Sequence, residues 1–522
     1  MKRVDRLSLT MAMVAIVAVA LAHPAPAVAQ WNDYARDAQH SAQSTVASQP
    51  LNQILWSTPV DLDPQFADGD LHIHYGSPLV TAANTVIVPV KTGAAGGFEV
   101  QAINAATGVP IWTLTTDYIL PAHDWTPVFG PALTSKPRLY FPGAGGTVYY
   151  RDQPDSSCST CEGQLAFYGL ATYQANPTLY NANVEINTPI TADSSGNIYF
   201  GFVVTATTPA AKIGRPARTL PIPIGRSPGS GSTHLISGIA RISASGKGTW
   251  VSVVTAAKDP TMTEVAQNCA PALSTDSSML YVAVSNTKAG YLVVLDSATL
   301  TPVNRVRLKD PKSGLDATLS DDSSASPTVG PDGQVYYGVL ENPIGENHYR
   351  GWLLHFNGHL SESKTPAAFG WDTTDSIVPK AVVPSYTGSS TYLLMTKYND
   401  YIQAGGTGLN RIALLDPSGS EIDPVTGYTV MNEVRSILGP TPDPAGGAKE
   451  WCINSAAVDP LTSSIIAGSE DGNLYRWDPQ ANVFSESIVL TPGIGEAYTP
   501  TVIGVDGTDY AINDATLFAV GN

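Results

Sequence analysis

The sequence predicts an all-β protein, a single eight-bladed β-propeller of four-stranded blades, closed by an N-terminal strand that completes the last blade. Three observations predict this fold. A short unit recurs eight times, the last unit ends one strand early, and an unaccompanied strand stands near the other end of the chain. Repeated four-stranded units indicate a propeller, because each blade needs its neighbours to bury its apolar faces.

Each unit opens with a small residue and Pro, continues as a short apolar strand and a polar turn, and enters a second apolar strand. The turns contain hairpin residues, as in Pro331-Asp332-Gly333 and Asp506-Gly507. A third strand often starts at Gly, and Trp112 and Trp250 fall in fourth strands. The eight openings are Ser77-Pro78, Gly130-Pro131, Thr188-Pro189, Ala270-Pro271, Ser326-Pro327, Val383-Pro384, Ser455-Ala456 and Thr499-Pro500.

The two ends of the repeat complete each other. Residues 516–520 form the third strand of the eighth unit, and the missing fourth strand is available at 52–60. Pairing them removes the last free strand edge. We therefore expect residues 51–522 to be one propeller, with 51–60 as the closing strand, 30–50 as an N-terminal extension and 205–237 as a loop insertion in blade 3.

Residues 1–29 have the pattern of a signal peptide. Basic residues Lys2, Arg3 and Arg6 precede an apolar stretch at 11–21, and Ala27-Val28-Ala29 matches a cleavage site. The apolar stretch is too short to cross a bilayer. We expect a periplasmic or secreted monomer without a membrane anchor.

Charge and composition exclude some classes of function. The formal net charge is −17 with 43% hydrophobic residues, which is enough for a large core. Such a charge repels phosphate backbones, so nucleic-acid binding is not expected. The insertion is locally basic, with Lys212, Arg215, Arg218 and Arg226. Two interpretations stay open for it: a partner-binding loop, or a loop that only maintains solubility.

Cys158 and Cys161 lie in a polar turn, and an exported protein favours a disulfide between them. A redox site would need a following helix, and a zinc site would need a second Cys pair. Neither accompanies this motif. Cys269 and Cys452 precede equivalent openings and are expected to face the channel, with their pairing left open.

The residues just before each opening should surround one funnel at the end of the central channel. They are rich in His, carboxylate, amide and Trp side chains, which is the chemistry of a concave binding site. The alternative is that they are ordinary polar residues of a water-filled channel. His72 and His74 have a spacing that could bind a metal, although exposed channel histidines explain it more simply. The funnel candidates are His72, His74, His123, Asp124, Trp125, Asn187, Asp321, Asp322, Trp451, Asn454, Glu496 and Tyr498.

Several units resemble the PQQ-like propeller repeats of the quinoprotein alcohol dehydrogenase superfamily. The clearest matches are 327–338, which ends in Tyr-x-Gly, and 472–478, which reads Gly-x-Leu-x-x-x-Asp. The start of the chain after the signal peptide, Trp31-x-x-x-x-Arg36-Asp37-x-x-His40, resembles a segment that often precedes these repeats. The resemblance implies this fold, and its members include both quinone-dependent enzymes and non-enzymatic assembly scaffolds.

The resemblance implies particular parts for an enzyme: a calcium site, a catalytic Asp, a Trp floor and usually two adjacent Cys. No adjacent Cys pair occurs in this sequence, and no motif specifies PQQ or calcium. By position, Trp451 could be the floor, Asp321 or Asp322 the base, and Glu496 or Asn454 ligands. The leading expectation is a non-catalytic protein that binds a protein, polysaccharide or small ligand in the funnel. The alternative is a funnel-sited enzyme, either a quinone-dependent oxidoreductase or a hydrolase or lyase.

Overall fold

A computed structural model shows eight β-sheets arranged as the blades of one propeller. It describes residues 31–67, 70–73, 76–94, 96–120, 129–205, 222–223, 234–319, 325–493 and 495–522. The predicted signal peptide and nearly all of the predicted insertion at 205–237 lie outside these ranges. No helix of the described residues is long and apolar enough to cross a membrane.

Within each blade the strands follow one another from the central channel outwards. Blade 1 contains Leu79–Val80, Thr85–Lys91, Phe98–Asn104 and Pro110–Thr116, and blade 2 contains Ala132–Leu133, Arg138–Pro142, Thr147–Asp152 and Glu162–Ala166. Blade 3 contains Thr191–Ala192, Ile198–Val204, Gly238–Ile242 and Gly248–Ser252, and blade 4 contains Ala272–Leu273, Met279–Ser285, Gly290–Asp296 and Pro302–Arg307. Blade 5 contains Thr328–Val329, Val335–Val339 and Trp352–Phe356, and blade 6 contains Ser376–Pro379, Tyr392–Tyr398, Arg411–Ile422 and Thr429–Leu438. Blade 7 contains Ala457–Asp459, Ser464–Gly468, Asn473–Asp478 and Val483–Val489, and blade 8 contains Val502–Ile503, Asp509–Asn513, Thr516–Gly521 and Gln53–Pro59.

The remaining elements are short. Val184–Ile186 and Glu264–Val265 precede the inner strands of blades 3 and 4 and pair with the second strands. The other paired segments are Phe66–Ala67 with Asp70–Leu71 and Ile222–Pro223 with His234–Leu235. The α-helices are Leu170–Ala175, Pro177–Asn181 and Val253–Ala257, and the 3-10 helices are Ala144–Gly146, Lys380–Val382 and Ile402–Ala404.

The N-terminal strand closes the ring as the sequence predicts. Gln53–Pro59 pairs antiparallel with Thr516–Gly521, so blade 8 is built from both ends of the chain. The Trp56 indole donates a hydrogen bond of 2.6 Å to the carbonyl of Ala105 in blade 1. Just after the strand, the fully buried Asp61 carboxylate lies 3.3 Å from the Lys91 ammonium of blade 1. Removing one partner of such a buried pair typically costs about 3–5 kcal/mol.

The N-terminal extension contacts every blade in turn. Residues 31–49 follow the inner strands around the channel, and backbone or side-chain hydrogen bonds of 2.6–3.0 Å tie them to each blade. The partners, from blade 1 to blade 8, are Val80, Leu133, Ala192, Leu273, Val329, Ile377, Val458 and Asp509. The segment therefore lies across the inner strands of all eight blades.

The predicted opening of blade 6 is wrong. Its inner strand is Ser376–Pro379, preceded by the buried residues Thr374 and Asp375. Val383-Pro384 instead follows this strand, and the Val383 amide caps the 3-10 helix Lys380–Val382. Residues other than Pro open two blades, blade 6 before Ser376–Pro379 and blade 7 at Ser455-Ala456, so the Pro pattern misplaced the opening of blade 6.

The Cys pairings agree with the sequence. Cys158 and Cys161 form a disulfide in the connection between the third and fourth strands of blade 2, with Cα atoms 5.9 Å apart. Cys269 and Cys452 are free thiols.

Deleting residues 51–60 removes the fourth strand of blade 8. We expect an aggregating product, or one that melts well below the wild type, because strand Thr516–Gly521 gains an open edge. The control is Asn52→Ala, which changes an exposed side chain of the same segment. Wild-type melting of the deletion variant, measured by calorimetry, would disprove closure.

Asp375→Asn tests a buried acid between blades 5 and 6. Burial raises the pKa of Asp375 to about 7, so ionisation disfavours the folded state and stability falls as pH rises from about 4 to about 7. The amide cannot ionise, so we expect Asp375→Asn to melt above the wild type at about pH 8 but not at about pH 5. Asp193→Asn is the matched control, because the Asp193 carboxylate accepts four hydrogen bonds and its loss should destabilise at both pH values. A variant with the wild-type pH dependence of melting would contradict the prediction.

Candidate active site

Six of the predicted funnel residues lie outside the described residues: His74, His123, Asp124, Trp125, Asp321 and Asp322. The metal interpretation of His72 and His74 therefore stays a prediction. His72 itself is half-buried and follows the short strand Asp70–Leu71.

Two other candidates are parts of the packed interior. Asn187 is fully buried, and its side-chain amide donates 2.9 Å to the carbonyl of Val265, joining blades 3 and 4. Trp451 is fully buried too and packs against Tyr475 and Phe484 at ring-centroid distances of 5.7 Å. Trp451 offers no free ring face to a ligand, so it does not serve as the floor of a site.

The remaining candidates come together on the funnel face of blades 6, 7 and 8. Asn454 precedes the inner strand of blade 7, and Glu496 and Tyr498 precede that of blade 8. Their neighbours from blade 6 are Asp372, before the inner strand, and Lys397, near the end of the second strand. Since the strands are antiparallel, the start of the first and the end of the second lie at the same face.

A buried charge pair is the centre of this group. The Lys397 ammonium lies 3.6 Å from Oδ2 of Asp372, and the side chains are only 3% and 9% exposed. The Tyr498 hydroxyl donates a hydrogen bond to Oδ1 of Asp372, and Lys397 Nζ lies 5.8 Å from the centroid of the Tyr498 ring. Attraction between charges is strong at a buried site, because little water screens it.

A thiol and a second carboxylate lie beside this pair. The Cys452 thiol donates to Oε2 of Glu496 at 3.0 Å. Burial raises the pKa of Cys452 well above its usual range, the negative charge of Glu496 raises it further, and the positive charge of Lys397 opposes both. Cys452 is therefore a protonated thiol at neutral pH.

The extension supplies the floor. The Tyr34 hydroxyl donates to Oδ1 of Asn454 and lies 3.3 Å from Oγ1 of Thr374. Tyr34, Asn454 and Tyr498 line a narrow axial cavity of about 30 Å³, together with the openings of blades 1 to 3. A cavity of this size holds about one water molecule.

Sequence reasoning missed Asp372 and Lys397. Asp372 was overlooked because the opening of blade 6 was placed at Val383-Pro384 rather than directly after it. Lys397 had a usable signal: it is a charged residue within the otherwise mostly apolar strand Tyr392–Tyr398. Lysine is almost never fully buried without a partner, so a lysine there indicates a paired or functional site.

This arrangement suits chemistry that moves a proton from a hydroxyl or stabilises a negative oxygen. The Asp372 carboxylate can accept a proton, and the Lys397 ammonium can stabilise a carbonyl or alkoxide oxygen beside it. No three His, Cys, Asp or Glu residues of the described ranges converge as a metal site.

Comparisons with known proteins identify the fold. No protein family matches the sequence, and no curated protein matches it. A europium-containing methanol dehydrogenase superposes with a TM-score of 0.53 at 9% identity, covering 92% of this chain and 89% of that chain. The quinohemoprotein alcohol dehydrogenase from Comamonas testosteroni gives 0.55 at 10% identity, covering 96% and 82%. The chain therefore has the PQQ-like propeller fold that its repeats resemble.

Glu496→Gln tests the electrostatic contact with Cys452. Removing the neighbouring negative charge should lower the pKa of Cys452 and accelerate its alkylation by iodoacetamide, by up to about tenfold at mildly alkaline pH. Cys269 is the internal control, because burial alone is the main reason that its pKa is raised to about 12. Mass spectrometry of the labelled peptides measures both rates. Equal rates at Cys452 in the variant and the wild type would show that Glu496 does not act on this thiol.

Proposed function

We propose that this chain is an exported oxidoreductase that oxidises an alcohol in the funnel, at the centre formed by Asp372, Lys397 and Tyr498. The single observation that carries the proposal is the buried lysine–carboxylate pair at the funnel face. Burying two charges costs several kcal/mol per ion, and a hydrophobic pair would be at least as stable there. Unlike the buried Asp61–Lys91 pair, which joins the closing segment to blade 1, this pair lies at the funnel face near the Cys452 thiol.

The comparisons favour the enzymatic alternative over the non-catalytic interpretation of the sequence. The two superposed structures carry names of alcohol dehydrogenases, and each covers more than nine-tenths of this chain. Their identity of about a tenth gives the fold alone, so the reaction has to be argued from the residues of this funnel.

The residues of the centre have separate roles. Asp372 accepts the proton of the substrate hydroxyl, because its carboxylate is held in place by the Tyr498 hydroxyl. Lys397 stabilises negative charge on the substrate oxygen as the proton leaves. The hydrogen bond between Tyr34 and Asn454 fixes the extension beside this centre.

The two electrons and the carbon-bound hydrogen of the alcohol need an acceptor. A bound quinone would supply that acceptor, and the Lys397 ammonium fits its anionic and carbonyl oxygens. The proposal does not include a Trp451 floor, because that ring is buried in the core.

Lys397→Met and Asp372→Asn test the proposal. We expect the wild type, loaded with PQQ, to reduce an artificial dye with one or more of a panel of primary alcohols. Each variant should lose about 100-fold or more in kcat, the range of a general base or of a stabilising charge, while Asp372→Asn changes KM little. Lys258→Met and Asp276→Asn are matched controls on exposed side chains and should keep wild-type rates.

The opposite results are equally clear. Dye reduction that survives both funnel variants would place the reaction elsewhere. A wild type that binds PQQ in a thermal-shift assay but turns over none of the alcohols would favour a ligand-binding protein.

A further inference from the structure

A second cavity lies at the opposite face of the propeller, between blades 5 and 6. It has a volume of about 600 Å³. Its residues come from the turn after the inner strand of blade 5, such as Gln334, and from the equivalent turn of blade 6, such as Ser389 and Thr391. These turns are at the far ends of the strands that carry Asp372 and Lys397 at the funnel, so the two sites are separate.

The cavity exists because blade 5 has no regular fourth strand. Residues 363–367 lie where that strand should be but form only isolated bridges, Phe356 with Ser363 and Leu353 with Ala367. Pro366 lacks the amide hydrogen needed for a continuous ladder. The chain then moves to blade 6, where the Pro366 carbonyl accepts the Met431 amide at 2.8 Å. The gap that remains between the blades is open to solvent.

The wall of the cavity is rigid. The Tyr336 and Tyr392 hydroxyls are 2.6 Å apart, and the Tyr392 hydroxyl donates 2.8 Å to Oδ1 of Asp332. The His355 ring stacks on Tyr336 with centroids 4.6 Å apart and an interplanar angle of 26°. All three rings are at least 95% buried, so this network fixes the shape of the site before any ligand binds.

The accessible rim is polar and carries three charged side chains, two acidic and one basic. Gln334, Ser389, Thr391 and Ser418 present amide and hydroxyl groups, which both donate and accept hydrogen bonds. The charged lining residues are Asp332, Glu362 and Lys364. Burial lowers the pKa of His355 to about 4, so its imidazole is neutral at neutral pH.

We propose that this cavity, the blade 5–6 cavity, binds a neutral oligosaccharide. A sugar presents many hydroxyls that both donate and accept, and carboxylates and amides can bind two adjacent hydroxyls at once. The volume lies in the range of small-ligand sites and suits two or three sugar rings. Two carboxylates against one ammonium, on a chain of net charge −17, disfavour phosphates and other anions.

The test is calorimetric titration of the full chain with cellotriose, maltotriose and chitotriose. We expect saturable binding of at least one of them at millimolar concentration or tighter. Ser389→Trp should weaken it by about tenfold or more, because the exposed residue 389 lies at the rim and a Trp there would fill the entrance. Ala298→Trp, at an exposed turn of blade 4, is the matched control and should bind like the wild type. Melting of each variant establishes that it is folded.

The funnel variant Lys397→Met separates this inference from the proposed enzyme. Unchanged saccharide binding in that variant would support two independent sites, whatever its effect on dye reduction. The inference is overturned if none of the three sugars binds, if Ser389→Trp binds as well as the wild type, or if Lys397→Met abolishes binding.

Discussion

The contact between the N-terminal segment 31–49 and the inner strands is the interaction on which the rest of this propeller depends. The inner strands are only two to four residues long, so they make few contacts with one another across the channel. The segment connects them by hydrogen bonding to each blade in order, and the chain then leaves directly into the closing strand Gln53–Pro59. The blades, the segment 31–49 and the closing strand therefore form one cooperative unit. Hydrogen bonds between residues more than 400 positions apart hold this unit together. Such non-local topology favours slow folding.

The same segment also borders the candidate active site. It lies across the inner strands, and its Tyr34 lines the same cavity as Tyr498, which bonds Asp372. The Tyr34 hydroxyl bonds Asn454, while its ring lies edge-on to His40 at 5.4 Å. His40 is fully buried and its pKa is lowered to about 4 by burial, so the neutral ring donates from Nδ1 to the carbonyl of Pro327 at 2.7 Å. Asp372 and Lys397 therefore lie close to this segment.

The sequence was informative where local patterns decide structure. Hairpin turns with Gly, alternating apolar strands and the unmatched strand at 52–60 predicted the number of blades and the closure, because each is set by neighbours in the chain. The opening of blade 6 was misplaced, because Val383-Pro384 imitates the pattern after the true strand has ended. Site residues were harder to predict, because side chains from different blades come together only when the ring of blades has formed. Glu496 and Tyr498 were found by their position before an opening, whereas Lys397 lies inside a strand and enters the funnel only because that strand ends there.

Two chemically different surfaces follow from one architectural rule. In an antiparallel blade, the start of the first strand and the end of the second lie at the funnel, and the turn between them lies at the other face. Blade 6 contributes to both faces. Lys397 lies at the funnel end of its second strand, and Tyr392 lies at the opposite end. The funnel end carries the buried Asp372–Lys397 charge pair. The far end is hydroxyl-rich and open where Pro366 interrupts blade 5, which suits recognition of a neutral polar ligand. An identity of about a tenth with dehydrogenases of the same fold is compatible with this division, because the ring is maintained by apolar strands while each end can change independently.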